Sequence, residues 1–195
     1  MTAYMTRIEQ LIKDYLDYLE IEKNRSIKTR DNYDRYLRRF LAFSKVTTPE
    51  GIAQENVRQF RLWLNRVVDE HGKTLRRNTQ NYYVIALRNF LKYCAKRDVV
   101  TLAADKIELG KMPDRDIDII DARDLERMTA IHEHDIKSLR DKAILELLFS
   151  TGLRVSELCA LNRDSIDLTR DEFSVRGKGG KVRVVFLSQT ARDAL

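Results

Sequence analysis

Hydrophobic side chains recur at every third or fourth position through most of the first hundred residues. This spacing predicts four amphipathic helices, at about residues 7–22, 26–44, 54–68 and 78–96. In the second helix the apolar stripe includes Tyr33, Leu37 and Phe40, and Ser26 is well suited to cap its start. Pro49 marks one of the short loops. Four short helices with short connections are typical of a compact bundle.

The helical period is lost in residues 101–121, where Gly110 and Pro113 stand among alternating charged and apolar residues. This composition indicates a linker between two domains. Two more helices are then predicted, from Ala122 to about Glu133 with Asp121 as its N-cap, and from Ser138 to Phe149.

The last quarter of the chain changes to strand periodicity. Gly152 ends the preceding helix, and Ser156 or a neighbour is predicted to begin a short one. From Glu172 onward apolar and polar residues alternate on both sides of the turn Gly177–Gly180. This pattern predicts a β-hairpin with Lys178 at or beside its tip.

These elements together predict a mainly α protein with two domains. A four-helix domain occupies residues 1–100, the linker 101–121, and an α+β domain with the hairpin 122–195. Ser188 is predicted to cap a last helix of about seven residues, which is too short to be stable by itself. We therefore expect the second domain to be incomplete.

Positive charge is concentrated in the first half of the chain. The 195 residues contain 36 Lys and Arg against 30 Asp and Glu, for a formal net charge of +6. Residues 1–100 contribute +8 and the remaining residues −2. This asymmetry suggests that the N-terminal half meets a polyanion, and a solvated helix face is the alternative explanation.

The second and fourth helices are the basic ones. On the fourth, Arg88, Lys92 and Lys96 share one face at four-residue spacing, away from the apolar stripe. Such a helix fits the major groove of duplex DNA, where Lys and Arg hold phosphates and polar side chains read bases. Further candidates near the two helix starts are Lys28, Thr29, Asn32, Arg76, Arg77, Asn78 and Gln80, for each of which an ordinary surface role is the alternative.

The cysteines and histidines do not indicate a reactive or metal-binding site. Cys94 and Cys159 each lie in an apolar helical pattern and are predicted to be small core residues. His132 and His134 are two positions apart, on different helical faces, so they are a poor metal pair. We expect no metal and no cofactor. No signal-peptide pattern or bilayer-length apolar run is found, so we expect a cytoplasmic protein without a membrane partner.

Two motifs give the chain a family resemblance. Ser150–Leu158 and Gly177–Arg183, at this separation, resemble the first catalytic box and the β-hairpin of the tyrosine recombinases, most closely the Xer and phage-integrase group. The N-terminal half is similar to the SAM-like, core-binding helical domain of that family. Within the first motif Arg154 lies at a helix junction among apolar neighbours, where a cation is costly unless it has an anionic partner.

The resemblance implies DNA strand transfer without ATP or metal. A tyrosine attacks a phosphodiester to form a 3′-phosphotyrosyl link, and a free 5′-hydroxyl later reverses the step on another strand. Arg154 would stabilise charge on the phosphoryl oxygens, and Lys178 would protonate the departing oxygen, with Lys181 as its rival. Glu157 would support the site, and Lys181 and Arg183 would lie at the DNA.

The family places a His-x-x-Arg box, a further His or Trp and the nucleophilic tyrosine after the hairpin. All eight tyrosines of this sequence precede Arg154, so none is assigned as nucleophile. We therefore expect the N-terminal portion of a recombinase, able to bind double-stranded DNA but not to cleave it. The resemblance also implies that the longer parent protein acts as a homo- or hetero-oligomer, a tetramer on DNA.

Two other functions are compatible with the sequence. A non-enzymatic regulator of the helix-turn-helix type would place its recognition helix at Arg163–Asp167. That stretch is too acidic for a helix that binds well in a DNA groove. A helical protein-interaction module without a DNA role is the other possibility, since a net charge of +6 is modest.

Overall fold

The structure is a computed structural model that describes residues 5–68, 71–111, 117–130 and 135–195. The chain separates into two compact units, Met1–Arg115 and Asp116–Leu195, called here the first and second unit. Each unit has its own cluster of buried hydrophobic residues. The predicted mainly α fold with one hairpin is confirmed.

The described residues of the first unit form four α-helices. They are α1 (Arg7–Ile21), α2 (Ile27–Ser44), α3 (Gln54–Arg66) and α4 (Arg77–Ala95), with short 3₁₀ turns at Pro49–Gly51 and Ala104–Lys106. Thr6 and Glu9 form a capping box at the start of α1. Ser26 caps α2 as predicted, its hydroxyl accepting from the main-chain N–H of Thr29.

Aromatic side chains fill the core of the first unit. The rings of Phe40 and Phe60 meet edge to face with centroids 5.2 Å apart, and Tyr15 lies 5.6 Å from Phe90 in the same manner. Each such pair adds about 0.5–1.5 kcal/mol beyond the burial of its area. Cys94 is buried beside them, as predicted, and burial raises the pKa of its thiol to about 11. It therefore behaves as a small apolar residue.

The beginning of the predicted linker packs on the first unit. Ile107 is buried in the helical core, and Leu102 packs against it. Farther along, the side chain of Asn81 on α4 donates to the carbonyl of Gly110 at 2.9 Å, and Gly110 N–H donates back to Asn81 Oδ1 at 3.1 Å. The segment that begins at residue 101 is therefore packed on the helices, whereas the sequence predicted that a linker starts there. The reason is that single apolar residues can be buried without forming a periodic pattern.

In the second unit, the part that the structure describes combines four helices with the hairpin. The helices are α5 (Ala122–Thr129), α6 (Ile136–Thr151), α7 (Val155–Leu158) and α8 (Gln189–Ala194), and 3₁₀ turns lie at Arg163–Ser165 and Lys178–Gly180. Strands β1 (Glu172–Arg176) and β2 (Val182–Phe186) pair antiparallel, with Val175 opposite Arg183. Asp121 and Ser188 act as N-caps as predicted.

The core of the second unit lies under one face of the hairpin. Phe173, Val175 and Val185 are buried there together with Leu147 of α6, while alternate strand residues point outward. The left-handed backbone of Gly152, with φ of 60°, ends α6 as predicted.

One expectation for this region is confirmed and another is wrong. The helix α7 begins at Val155, the neighbour of Ser156, with Arg154 as its N-cap. Cys159 is exposed and is not a core residue, because α7 ends at Leu158 after a single turn and the apolar helical pattern does not continue.

Gly110→Ala should loosen the segment that packs on the first unit. A methyl group at this position would lie 2.8 Å from Asn81 Oδ1, so the reciprocal hydrogen-bonded pair must open. Loss of such partly buried hydrogen bonds costs about 1–3 kcal/mol. Urea unfolding followed by the fluorescence of Trp63 measures this loss, because Trp63 is the one tryptophan and packs on the same core.

Lys111→Ala is the matched control, since Lys111 is exposed and follows Gly110 directly. The midpoint of the urea transition of this control should equal that of the unaltered chain. Equal midpoints for the two variants would contradict the structural role of the Asn81–Gly110 pair.

Candidate active site and nucleic-acid interface

The centre of the candidate active site is a buried carboxylate. The Glu157 side chain, on α7, is 6% exposed, and both of its oxygens accept hydrogen bonds. From Arg154 the main-chain N–H donates at 2.9 Å and Nη1 at 3.0 Å. From Arg183, on β2, Nη1 and Nη2 donate at 2.9 and 2.8 Å as a two-pronged fork. A single carboxylate therefore joins α7, the arginine before it and the hairpin.

The hydrogen bonds to Glu157 keep it ionised. Those from Arg183 are the largest cause, and those from Arg154 add to them, so that the pKa of Glu157 falls from its ordinary value of 4.5 to about 2. Desolvation by burial acts in the opposite direction and is outweighed. The same contact raises the pKa of Arg183. The charge pair therefore persists throughout the ordinary pH range.

Arg154 is more accessible than the sequence suggested. Its side chain is 65% exposed, and the adjacent Val155 is exposed as well. The expectation of a buried cation is wrong, because the buried member of the pair is Glu157. Nη1 is held by Glu157, and the other guanidinium N–H groups make no hydrogen bond to the residues described. One edge of the guanidinium is thus fixed while the rest is available to an anion.

The hairpin tip lies where the sequence placed it. Residues Lys178–Gly180 form the turn, and the main-chain N–H of Gly177 donates to the carbonyl of Lys181 at 2.7 Å to close it. Lys181 is exposed. The side chain of Lys178 lies outside the described residues.

The DNA-binding candidates of the first unit fall into two groups. Helices α2 and α4 run antiparallel: Asn89 donates to the Tyr33 hydroxyl, and farther along α2 Arg39 donates to the hydroxyl of Tyr83. The start of α2 therefore lies beside the C-terminal half of α4. This packing defines a first group of Lys28, Thr29, Asn32, Arg88 and Lys92, and a second group of Arg76, Arg77 and Asn78 at the other end.

The two groups are separate along α4, because Arg77 and Arg88 are about 16 Å apart along the helix axis at a rise of 1.5 Å per residue. They also differ in how exposed their side chains are. In the second group all three side chains are exposed, whereas in the first group Thr29, Asn32 and Arg88 are half-buried. Asn32 already accepts from Arg35 at 2.8 Å, and the buried Nε of Arg88 has no hydrogen-bond partner among the described residues.

Sequence reasoning missed basic residues beside the second group. A groove of about 250 Å³ next to Arg77 is also lined by Arg61, Asn65 and Lys111. The signal for Arg61 and Asn65 was available, because with Arg58 they follow the i, i+3, i+7 spacing of one helical face. Lys111 had no such signal, since its position depends on the packing of the segment before it.

Neither a cluster of metal ligands nor a membrane-length apolar helix occurs in the part of the chain that the structure describes. It contains no cluster of three or more His, Cys, Asp or Glu side chains placed to hold a metal ion. His132 and His134 lie outside the described residues. None of the described helices is both long and apolar enough to cross a membrane.

Comparison with protein families gives a match to each half of the chain. The Phage integrase family matches residues 118–195, which include the Glu157 cluster and the hairpin. The N-terminal SAM-like domain of phage integrases matches residues 12–98, which include α2, α3 and α4.

Similar proteins are longer than this chain. The tyrosine recombinase XerC of Bacillus pumilus (strain SAFR-032) is 32% identical over 203 residues, and that of Bacillus subtilis (strain 168) is 31% identical over 193 residues. Each alignment covers 98% of this chain and 62% of the relative. The chain therefore spans less than two thirds of the length of these curated relatives.

Solved structures share the fold at low identity. A lambda integrase dimer bound to a COC′ core site has a TM-score of 0.69 at 17% identity, covering 98% of this chain and 68% of that one. The Tn1549 transposon integrase in complex with transposon right end DNA has a TM-score of 0.67 at 19% identity, covering 94% and 62%. With both of its halves matched and XerC relatives along almost its whole length, the chain belongs to the phage integrase family of tyrosine recombinases.

Proposed function

We propose that the protein to which this chain belongs is a site-specific recombinase that breaks and rejoins duplex DNA through a 3′-phosphotyrosyl intermediate. The observation that carries the proposal is the Arg154 guanidinium, held at one edge by buried Glu157 and otherwise exposed. This arrangement lies within the residues that match the Phage integrase family.

Arg154 is suited to bind the phosphoryl group in the transition state. Its charge is permanent, and its planar donors match two phosphoryl oxygens at once. Because Glu157 holds both the main-chain N–H and Nη1, the guanidinium is oriented before DNA arrives. A donor oriented in advance stabilises developing negative charge without a reorganisation cost during the reaction.

A lysine of the hairpin tip would supply the proton for the departing 5′ oxygen. Lys178 is favoured because of its position in the motif, and Lys181 is the second candidate. A flexible ammonium on a turn can reach the leaving oxygen and act as a general acid. The carboxylate of Glu157 accepts hydrogen bonds from two arginines, and Glu157 would therefore support the site as a structural residue.

The helical domain, residues 1–100, would hold the DNA. Its charge of +8 and the exposed Arg76, Arg77 and Asn78 support this role, and Lys28 and Lys92 offer a second region of contact. Residues 122–195 would be the first part of the catalytic domain. By family resemblance, the whole protein would act as a tetramer on DNA.

A helix-turn-helix regulator fits the structure less well. Its recognition helix would lie at Arg163–Asp167, where only the 3₁₀ turn Arg163–Ser165 forms. The preceding helix α7 has four residues, too few to support such a motif.

DNA binding by residues 1–195 should depend steeply on salt. Fluorescence anisotropy with a labelled duplex, repeated over a series of salt concentrations, gives the dissociation constant and its salt slope. Arg77→Ala should weaken binding to all duplexes and reduce the slope by about one, because one phosphate contact is lost.

Arg7→Ala is the control, since Arg7 belongs to neither group and already donates a hydrogen bond to Glu50 at 2.7 Å. It should leave the salt slope unchanged. Absence of binding at low salt would overturn the proposal in favour of a protein-interaction module. A larger loss of DNA affinity in Arg163→Ala than in Arg77→Ala would favour the helix-turn-helix regulator.

The same 195 residues should form no covalent adduct with nicked DNA. The reason is that every tyrosine precedes Arg154, whereas the family resemblance places the nucleophile after the hairpin. Denaturing electrophoresis with a labelled, nicked duplex detects the adduct, and a recombinase of known target on its own nicked site is the positive control. An adduct would contradict this prediction, and Tyr82→Phe would then test the most exposed of the tyrosines that the structure describes, a residue that is 52% exposed.

A further inference from the structure

The neck of the hairpin is formed by residues 175–177 and 181–183. Among the described residues, one side chain of this neck, Arg183, forms hydrogen bonds to α7. Its guanidinium is half-buried, and both terminal nitrogens are bonded to the two oxygens of Glu157. Gly177, on the other side of the neck, lies close to both side chains of this contact. A Cβ at Gly177 would lie 3.1 Å from Arg183 Nη1 and 3.1 Å from Glu157 Oε1.

We propose that Arg183 is a positioning residue, which clamps the hairpin to α7 through Glu157 and so fixes the lysine-bearing tip relative to Arg154. This assignment replaces the role of DNA contact that the sequence suggested for Arg183. The consequence for catalysis rests on the proposed function, whereas the clamp itself does not.

Other contacts hold the hairpin level with Arg183 or farther from its tip. At the base, the Ser150 hydroxyl donates to the carbonyl of Phe186 at 3.0 Å. Val185 is buried in the core, and so is Val175, which lies directly opposite Arg183. Nearer the turn the strand residues Arg176 and Val182 are exposed. Among the described residues, the Arg183–Glu157 contact is therefore the last side-chain hydrogen bond before the turn.

The clamp also connects the two cations of the site. Glu157 Oε1 accepts from Nη1 of Arg154 and from Nη1 of Arg183. Two parallel hydrogen bonds from Arg183 fix its orientation as well as its distance, which a single ammonium contact cannot do. Movement of the hairpin neck would therefore disturb the carboxylate that orients Arg154.

Its contact with Glu157 makes Arg183 less suited to DNA than Arg154. Its side chain is 36% exposed, against 65% for Arg154, and one N–H on each terminal nitrogen is directed at the carboxylate. A phosphate that took those two donors would leave Glu157 a buried carboxylate without two of its charged partners, which is unfavourable. A phosphate bound by the remaining N–H groups would lie close to that negative charge.

Amide hydrogen exchange of the chain without DNA tests the clamp. The probe is the main-chain N–H of Gly177, which closes the turn by donating to Lys181. Arg183→Gln should accelerate its exchange about tenfold, while amides of α6 keep their rates and show that the unit remains folded. Arg183→Lys, which can bond only one oxygen at a time, should give a smaller acceleration. Arg176→Gln, on the exposed side of the hairpin, is the control and should change nothing.

A double variant shows whether Arg183 acts through Glu157. In a Glu157→Gln background, Arg183→Gln should cause no further acceleration, because the contact is already lost. Additive effects, or equal exchange in Arg183→Gln and Arg176→Gln, would overturn the clamp. If Glu157→Gln does not fold, the proposal is tested by the acceleration of Gly177 exchange in the other variants. This acceleration should be largest in Arg183→Gln, smaller in Arg183→Lys and absent in Arg176→Gln.

Binding to duplex DNA separates the clamp from the proposed function. If Arg183 held a phosphate, Arg183→Gln would lower the salt slope by about one, and Glu157→Gln, which frees Arg183, would not lower it. With a clamp, both variants should change the dissociation constant by the same factor. A chain that shows the exchange pattern but binds no DNA would retain the clamp and lose the proposed function.

Discussion

A buried carboxylate whose charge must be compensated organises the second unit. Glu157 has almost no contact with solvent, so its stability depends on donors supplied by the protein. Those donors come from the residue before α7 and from β2, two segments that are distant in sequence. The need to satisfy one acid therefore brings together an exposed guanidinium and a hairpin whose tip carries lysines.

The first unit is held together by different forces. Its helices pack around aromatic rings, with Phe40, Phe60 and Phe90 almost fully buried, and no charged group is required at its centre. Polar contacts lie at the edge, where Asn81 and Gly110 attach the segment that follows α4. Because the described core residues are apolar or aromatic, their packing does not depend on ion pairs, which leaves the basic residues outside the core free for electrostatic, salt-dependent contacts.

Much of this architecture could be predicted from the sequence because it depends on local patterns. The bounds of α1 to α4 agree with their apolar spacing to within two residues, and the caps Ser26, Asp121 and Ser188 are where their residue types suggested. The hairpin followed from alternation and a glycine-rich turn.

The features that escaped prediction depend on tertiary packing. Arg183 and Glu157 are 26 residues apart, and their contact requires both the strand register and the single turn of α7. Nothing periodic marks Ile107 as a core residue. Arg154 looked buried because its neighbours are apolar, but a helix of one turn leaves Val155 in solvent and places the acid inside instead.

Under the proposed function, the two units would divide the electrostatic task that phosphodiester chemistry imposes. Affinity for a polyanion grows with the number of exposed cations and needs little precision, which suits a surface with Arg76 and Arg77 at one end and Lys92 at the other. Stabilising a transition state requires few charges with fixed directions. The second unit has one acid that holds Arg154 and Arg183 together, even though its half of the chain carries a net charge of −2. In the proposed function, the second half of the chain would therefore contribute the orientation of its cations, and not its total charge, to the binding of a phosphate.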